Sequence, residues 1–218
     1  MEKYATVVYV ISDEVLRILK VVDDPQSKMS NAEIITFVIV TANFFSGNYK
    51  MARYLCKRIG LFSNILSNSR LNRRIHNIAW EYWNAIFRFI SLIAKNEGPN
   101  YFAVDSFPVA YCQKNRIDKR KRFLESNYLG FAASKKSYFC GIKVHMIVTN
   151  QGRPIEVKFS PAAKIDVCVL WTMELDIPFD MTLYADGAYN SFDLEDVLKD
   201  EGIHLLAKRG SKTLIATF

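Results

Sequence analysis

The spacing of apolar residues changes character once along the chain. From Tyr4 to Val22 the residues Val7, Val8, Ile11, Val15, Ile18, Leu19 and Val22 recur at three- and four-residue intervals, which predicts an amphipathic helix closed by Asp23-Asp24-Pro25. Ser30-Asn31-Ala32-Glu33 is a capping-box pattern opening a second helix through IITFVIVTANFF, and Ser46-Gly47-Asn48 breaks it. A third helix is predicted from Tyr49 to Ile59. A fourth runs from about Arg70 to Ala94, with Ile78, Trp80, Trp83, Ile86, Phe87, Ile90 and Ile93 on its apolar sides. Its aromatic residues read as core.

After Asn96-Glu97-Gly98-Pro99-Asn100 the period becomes strand-like. Tyr101 to Phe107 is a first strand. Ser137 to Thr149 alternates, with Ile142, Val144, Met146 and Val148 on one face and Lys143 and His145 on the other, and it forms a hairpin with Pro154 to Phe159. A helix from Asp166 to Leu175, a short strand from Thr182 to Ala185, an acidic helix from Phe192 to Asp200 and a last strand from His204 to Ala207 complete the pattern. A hairpin followed by strand, helix and strand predicts an α+β fold. Residues 1–97 form a helical domain and residues 98–218 a mixed β-sheet with helices packed on it.

Composition narrows the function classes. With 218 residues, half of them hydrophobic, the chain can build one large core or two small ones. Its formal charge of +7 favours a polyanionic partner, with nucleic acid first among them. The four cysteines are far apart, with no CxxC pair and no neighbouring histidine, so neither a zinc site nor a disulfide framework is indicated. The apolar run Ile34 to Val40 falls far short of the roughly 20 residues of a membrane span. The early acids leave no room for a signal peptide. A cytoplasmic, nucleoid-associated protein is expected.

Basic side chains cluster twice. Lys50, Arg53 and Lys57 fall on one face of the third helix, and helix, glycine turn, basic helix is the outline of a helix-turn-helix; an ordinary helical hairpin with a solvated basic stripe fits equally well. The run QKNRIDKRKR carries Lys114, Arg116, Lys119, Arg120, Lys121 and Arg122, suited to tracking phosphates if it is more than a solvated loop.

Two acids stand out. Asp105 sits within YFAVDSFPVAY, where a buried carboxylate needs a proton, a cation or the surface. Asp186, in TLYADGAYNS, ends a strand before a helix, where catalytic groups collect in α/β sheets, although Asp-Gly is also an ordinary turn pair. If their strands are neighbours, the two carboxylates can jointly bind divalent cations. Magnesium, held by few carboxylates with water and phosphate oxygens completing its shell, suits phosphodiester cleavage. Lys143 and His145 share a strand face and can meet DNA, the active centre, or only each other's surroundings as a structural pair.

VDSFPVA, YFCGIKVHMIVT and TLYADGAYNS, in this order and spacing, resemble the catalytic domain of bacterial insertion-sequence transposases of the Asp-Asp-Glu type, the insertion-sequence family nine-eighty-two most of all. The resemblance implies an RNase H-like fold, dependence on Mg2+ or Mn2+, binding to double-stranded DNA at terminal inverted repeats and target, and strand cutting followed by strand transfer. A homodimer on DNA is an assembly to test. Asp105 matches the first catalytic acid and Asp186 the second. Lys143 and His145 match a tyrosine-x-glycine-x-lysine-x-histidine segment with Phe139 in the tyrosine place, or with Tyr138 one step out of register. The family's glutamate lies on a helix well after the fifth strand, and no residue up to Phe218 fills that place, so a C-terminally truncated and impaired enzyme is expected. Glu195 and Glu201 precede that strand and are expected to face solvent. A non-catalytic DNA-binding remnant and an RNase H-like host nuclease are the alternative readings.

Overall fold

The computed structural model describes residues 1–113, 126–132 and 136–209. The chain forms two compact units, Met1–Phe89 and Ile90–Phe218.

The first unit is helical: α1 (Glu2–Ile18), α2 (Asn31–Phe45), α3 (Tyr49–Arg58), α4 (Asn68–His76) and the start of α5 (Trp80–Asn96). The α2 capping box is complete, with Ser30 accepting the Glu33 N–H and Glu33 accepting the Ser30 N–H. At its other end Ser46 is left-handed and Gly47 follows at φ +80°, which turns the chain directly into α3. The long fourth helix of the sequence reading is two helices. Asn77 caps α4 with a backbone N–H shared among three carbonyls, and α5 begins afresh at Trp80. Arg74 is spent on architecture: its guanidinium donates to Ser27 Oγ at 2.6 Å and to Met29 O and Asn31 Oδ1, both at 3.1 Å, tying α4 to the start of α2. Met29, Ile34, Ile35, Phe37, Val40, Ala52 and Cys56 are fully buried at the centre of this unit.

The second unit contains β1 (Phe102–Gln113), β2 (Leu129–Ala132), β3 (Ser137–Thr149), β4 (Pro154–Pro161), α6 (Asp166–Leu170), β5 (Met181–Ala185), α7 (Phe192–Asp200) and β6 (Ile203–Ala207). The sheet runs β2-β3-β1-β5-β6, with β4 also on β3. β3 is antiparallel to β1, β2 and β4, whereas β1, β5 and β6 are mutually parallel. An antiparallel hairpin on one side of the first strand and parallel crossover strands on the other form an α+β, RNase H-like sheet, as expected. β1 is longer than predicted and runs through Pro108. Proline is tolerated there because β5 pairs only with Phe102 to Val104, leaving that side of β1 open beyond.

The core of this unit departs from the alternation reading. Phe102, Val104, Ile147, Leu183, Tyr189, Leu194 and Ile203 pack together. Ile147 shares its strand face with Lys143 and His145, so the face read as polar lines the core. A methyl group at Gly141 would come within 2.1 Å of Val109 O, so glycine lets β3 close onto β1 just where the ladder bulges at Ala110/Cys112.

Candidate active site

Ladder register brings the segments that carry the two acids together. In the parallel pair of β1 and β5 the partners are Phe102↔Leu183, Ala103↔Tyr184 and Val104↔Ala185. Asp105, on β1, and Asp186, which follows the last residue of β5, each come one residue after the point where this pairing ends. Neighbouring strands lie about 4.8 Å apart. Both side chains are exposed. Asp105 Oδ1 accepts the N–H of Ser106 at 2.7 Å, and Asp186 Oδ1 accepts the N–H of Ala188 at 2.9 Å, opening a single 3-10 turn from Gly187 to Tyr189. Each carboxylate thus keeps its other oxygen for a ligand. Among the described residues neither has a cationic partner, and no group of three or more His, Cys, Asp or Glu side chains is placed to hold a metal ion.

Beneath this open rim lies a buried polar layer. His145, fully buried, is paired in register with Ser106, the neighbour of Asp105. Its Nδ1 is 3.2 Å from the hydroxyl of Tyr189, also fully buried, and its Nε2 is 2.9 Å from Ser160 Oγ. Burial holds the imidazole below the usual histidine range and Lys143 adds to this, against the opposing pull of Asp166 and Asp105. The Tyr189 phenol is pushed well above the tyrosine range, first by burial and then by the charge of Asp166; Asp105 and Asp186 add to it, while a side-chain hydrogen bond with Ser106 opposes it. Tyr189 is therefore a permanently protonated hydroxyl within electrostatic reach of all three aspartates.

Asp166 was not among the residues singled out by sequence. It opens α6 directly after β4, and Lys143 Nζ donates to its Oδ1 at 2.7 Å and to Lys164 O at 2.9 Å. Both charged side chains are largely out of water, 19% exposed for Lys143 and 14% for Asp166. The signal available was positional, since Asp166 stands at a strand-to-helix junction just as Asp186 does. Glu195 also departs from expectation. Its side chain is only 18% exposed and ion-paired with Arg209 at 2.8 Å, whose guanidinium lies over the Phe192 ring. Glu201 is exposed, as expected.

The basic residues divide. Lys50 and Lys57 are exposed on α3, whereas Arg53 is half-buried and donates from Nε to Leu66 O at 2.7 Å. Lys114, Arg116, Lys119, Arg120, Lys121 and Arg122 lie outside the described residues. Cys56 and Cys168 are free thiols. Among the described residues no helix is long and apolar enough to cross a membrane.

Comparison with known proteins adds to this geometry. No curated protein matches the chain. Among solved structures it is similar to a piggyBac transposase in a synaptic complex with hairpin DNA, with 11% identity and a TM-score of 0.45 over 99% of this chain and 43% of that one. The chain thus spans less than half the length of that transposase. A family model described as the transposase DDE domain matches residues 95–214, more than half of the chain and nearly all of its sheet-bearing unit. The chain belongs to the transposase DDE domain family.

Proposed function

We propose that this chain is the transposase of a bacterial insertion sequence, of the family nine-eighty-two kind, which binds double-stranded DNA at terminal repeats and carries out metal-dependent strand cleavage and transfer. The observation that carries this reading is the β1/β5 register, whose last pair is followed on one strand by Asp105 and on the other by Asp186, both exposed and without a cationic partner among the described residues, in a domain of the DDE family. Domains of this family generally depend on divalent metal ions. The donor set here fits such an ion: two carboxylates, each with one oxygen on a backbone N–H and one uncommitted, suit Mg2+ or Mn2+, whose remaining positions go to water and phosphate oxygens. When bound, the metal supplies the Lewis acidity for attack on a phosphodiester and for departure of the leaving oxygen.

The chain's own residues do the remainder. Asp105 and Asp186 would hold the cation. Lys50 and Lys57, exposed on the face of α3 away from buried Ala52 and Cys56, contact the DNA backbone in the helical domain, residues 1–97. The basic run from Lys114 to Arg122 joins them on the strength of its charge, and a homodimer would bring two repeats together. The test is cleavage of a repeat-end duplex by the full chain in Mg2+ or Mn2+. Residual cleavage that requires the metal and disappears in Asp105→Asn and in Asp186→Asn is expected; equal cleavage by either variant refutes the assignment. Retention of repeat DNA should weaken, with a shallower salt dependence, in Lys50→Ala with Lys57→Ala.

A further inference from the structure

We infer that Tyr189 is a positioning residue for the two acids: its buried hydroxyl fastens the turn that carries Asp186 to the strand that carries Asp105. This rests on the reading of Asp105 and Asp186 as a joint metal site. The β1/β5 ladder ends at Val104↔Ala185, one residue before the acids, so ladder hydrogen bonds do not set their spacing. Asp186 and Tyr189 are the two ends of one tight turn, joined by the hydrogen bond from Tyr189 N–H to Asp186 O at 3.2 Å. The Tyr189 ring packs in the core and its hydroxyl lies 3.2 Å from Nδ1 of His145, which stands opposite Ser106, the residue covalently next to Asp105, in the β1/β3 ladder.

The bonds beyond Tyr189 form a directed chain. Ser160 Oγ donates to Pro161 O at 3.3 Å, so it accepts from His145 Nε2–H, which leaves Nδ1 to accept the Tyr189 O–H. The arrangement uses a neutral imidazole with both nitrogens satisfied. It spans β4, β3 and the turn after β5, and the pairing of His145 with Ser106 joins it to β1. Tyr189 ties the Asp186 turn to the strand that pairs beside Asp105, so a change at its hydroxyl should alter their spacing before it alters the fold.

The experiment is a titration of the full chain with Mn2+ in the absence of DNA, followed by electron paramagnetic resonance, alongside thermal melting and duplex retention. Tyr189→Phe keeps the ring and removes the hydroxyl. The expected result is Mn2+ binding about fivefold to tenfold weaker, the scale of one lost buried hydrogen bond, with duplex retention unchanged. Ser106→Ala should shift Mn2+ binding in the same direction by about threefold. A folded Tyr189→Phe with unaltered Mn2+ affinity overturns the positioning role, because a purely structural tyrosine would lower only the melting temperature. If Tyr189→Phe does not fold, Ser106→Ala decides by the same measure: weaker Mn2+ binding supports the role and unaltered binding overturns it. Asp105→Asn separates this proposal from the one beneath it. Loss of the Mn2+ signal there with no change in Tyr189→Phe ends the positioning role alone. No Mn2+ binding by the unsubstituted chain, or binding that survives Asp105→Asn, ends both.

Discussion

Asp105 and Asp186 at the rim of the sheet, and Asp166 in the layer beneath, act on the same tyrosine, yet their surroundings are opposite. The rim acids are exposed and hold only backbone N–H groups of residues next to them in the chain. Asp166 is largely buried and saturated by Lys143. An acid that already has its cation inside the protein has no capacity for another, whereas an exposed pair placed side by side repels and gains from a shared one. The difference teaches which carboxylates are available for chemistry, and position on the sheet alone does not reveal it.

The largest effect expected from this contrast is on catalysis. Asp105→Asn and Asp186→Asn should each lower metal-dependent strand cleavage on the order of 10³-fold or more, the several kcal/mol that metal stabilisation of the transition state contributes. Their melting temperatures should barely change, since neither carboxylate is buried or ion-paired among the described residues. Asp166→Asn should do the reverse, lowering stability while Mn2+ still binds. A cleavage loss confined to Asp166→Asn would invert the comparison.

Next in size is the ion pair itself. Lys143→Met leaves Asp166 largely buried without its cation and should cost roughly 2 to 4 kcal/mol of local stability, read as faster hydrogen exchange of the β3 amides. Combining it with Asp166→Leu should recover most of that loss, because removing both charges also removes the desolvation penalty. No recovery in the double variant would mean that Lys143 acts through its second bond, to Lys164 O.

How far the sequence could carry this is visible in particular residues. Among the described residues, periodicity located the helices and strands except β2 and the break between α4 and α5, and it located Asp186 at a strand end. The fourth helix was misjudged because its apolar spacing continues across Asn77, where only the backbone turns. The polar face assigned to β3 was wrong in a more instructive way. Lys143 and His145 satisfy their polar groups on Asp166, Tyr189 and Ser160, all distant in sequence, so a period-two pattern could not show that this face is buried. Glu195 misled for the same reason, its partner Arg209 lying on the far side of β6. Register was the other hidden quantity. That Asp105 and Asp186 are neighbours depends on which residue of β5 meets Val104, and nothing local in either strand specifies it.

Burial of His145 predicts a pH dependence that the rim does not share. Its folded-state pKa is held below the ordinary value of about 6.5, so as pH falls the unfolded chain takes up the proton first and the folded state loses ground. Stability from this group is intact above pH about 6.5 and declines below it, by at most roughly 1.4 kcal/mol per pH unit until the folded-state pKa is reached. Hydrogen exchange of β3 between pH about 7 and 5.5, compared with His145→Gln, should show a steeper loss in the unsubstituted chain. Parallel curves would mean that the imidazole takes up its proton without leaving its place.

The smallest change distinguishes the two ends of the buried layer. Ser160→Ala removes the acceptor of His145 Nε2–H and leaves Tyr189, Ser106 and both acids untouched. Losing one partner of a buried hydrogen bond costs about 1 to 2 kcal/mol, partly relieved here because β4 lies beside an open cavity of about 510 Å³ lined by Ser160, from which water can enter. Stability should therefore fall by about 1 kcal/mol, measured by guanidinium unfolding, while Mn2+ affinity stays within twofold of the unsubstituted chain. If Ser160→Ala instead weakens Mn2+ binding as much as Tyr189→Phe does, the imidazole has shifted and carried Tyr189 with it, and the rim and the layer beneath would have to be treated as one cooperative unit.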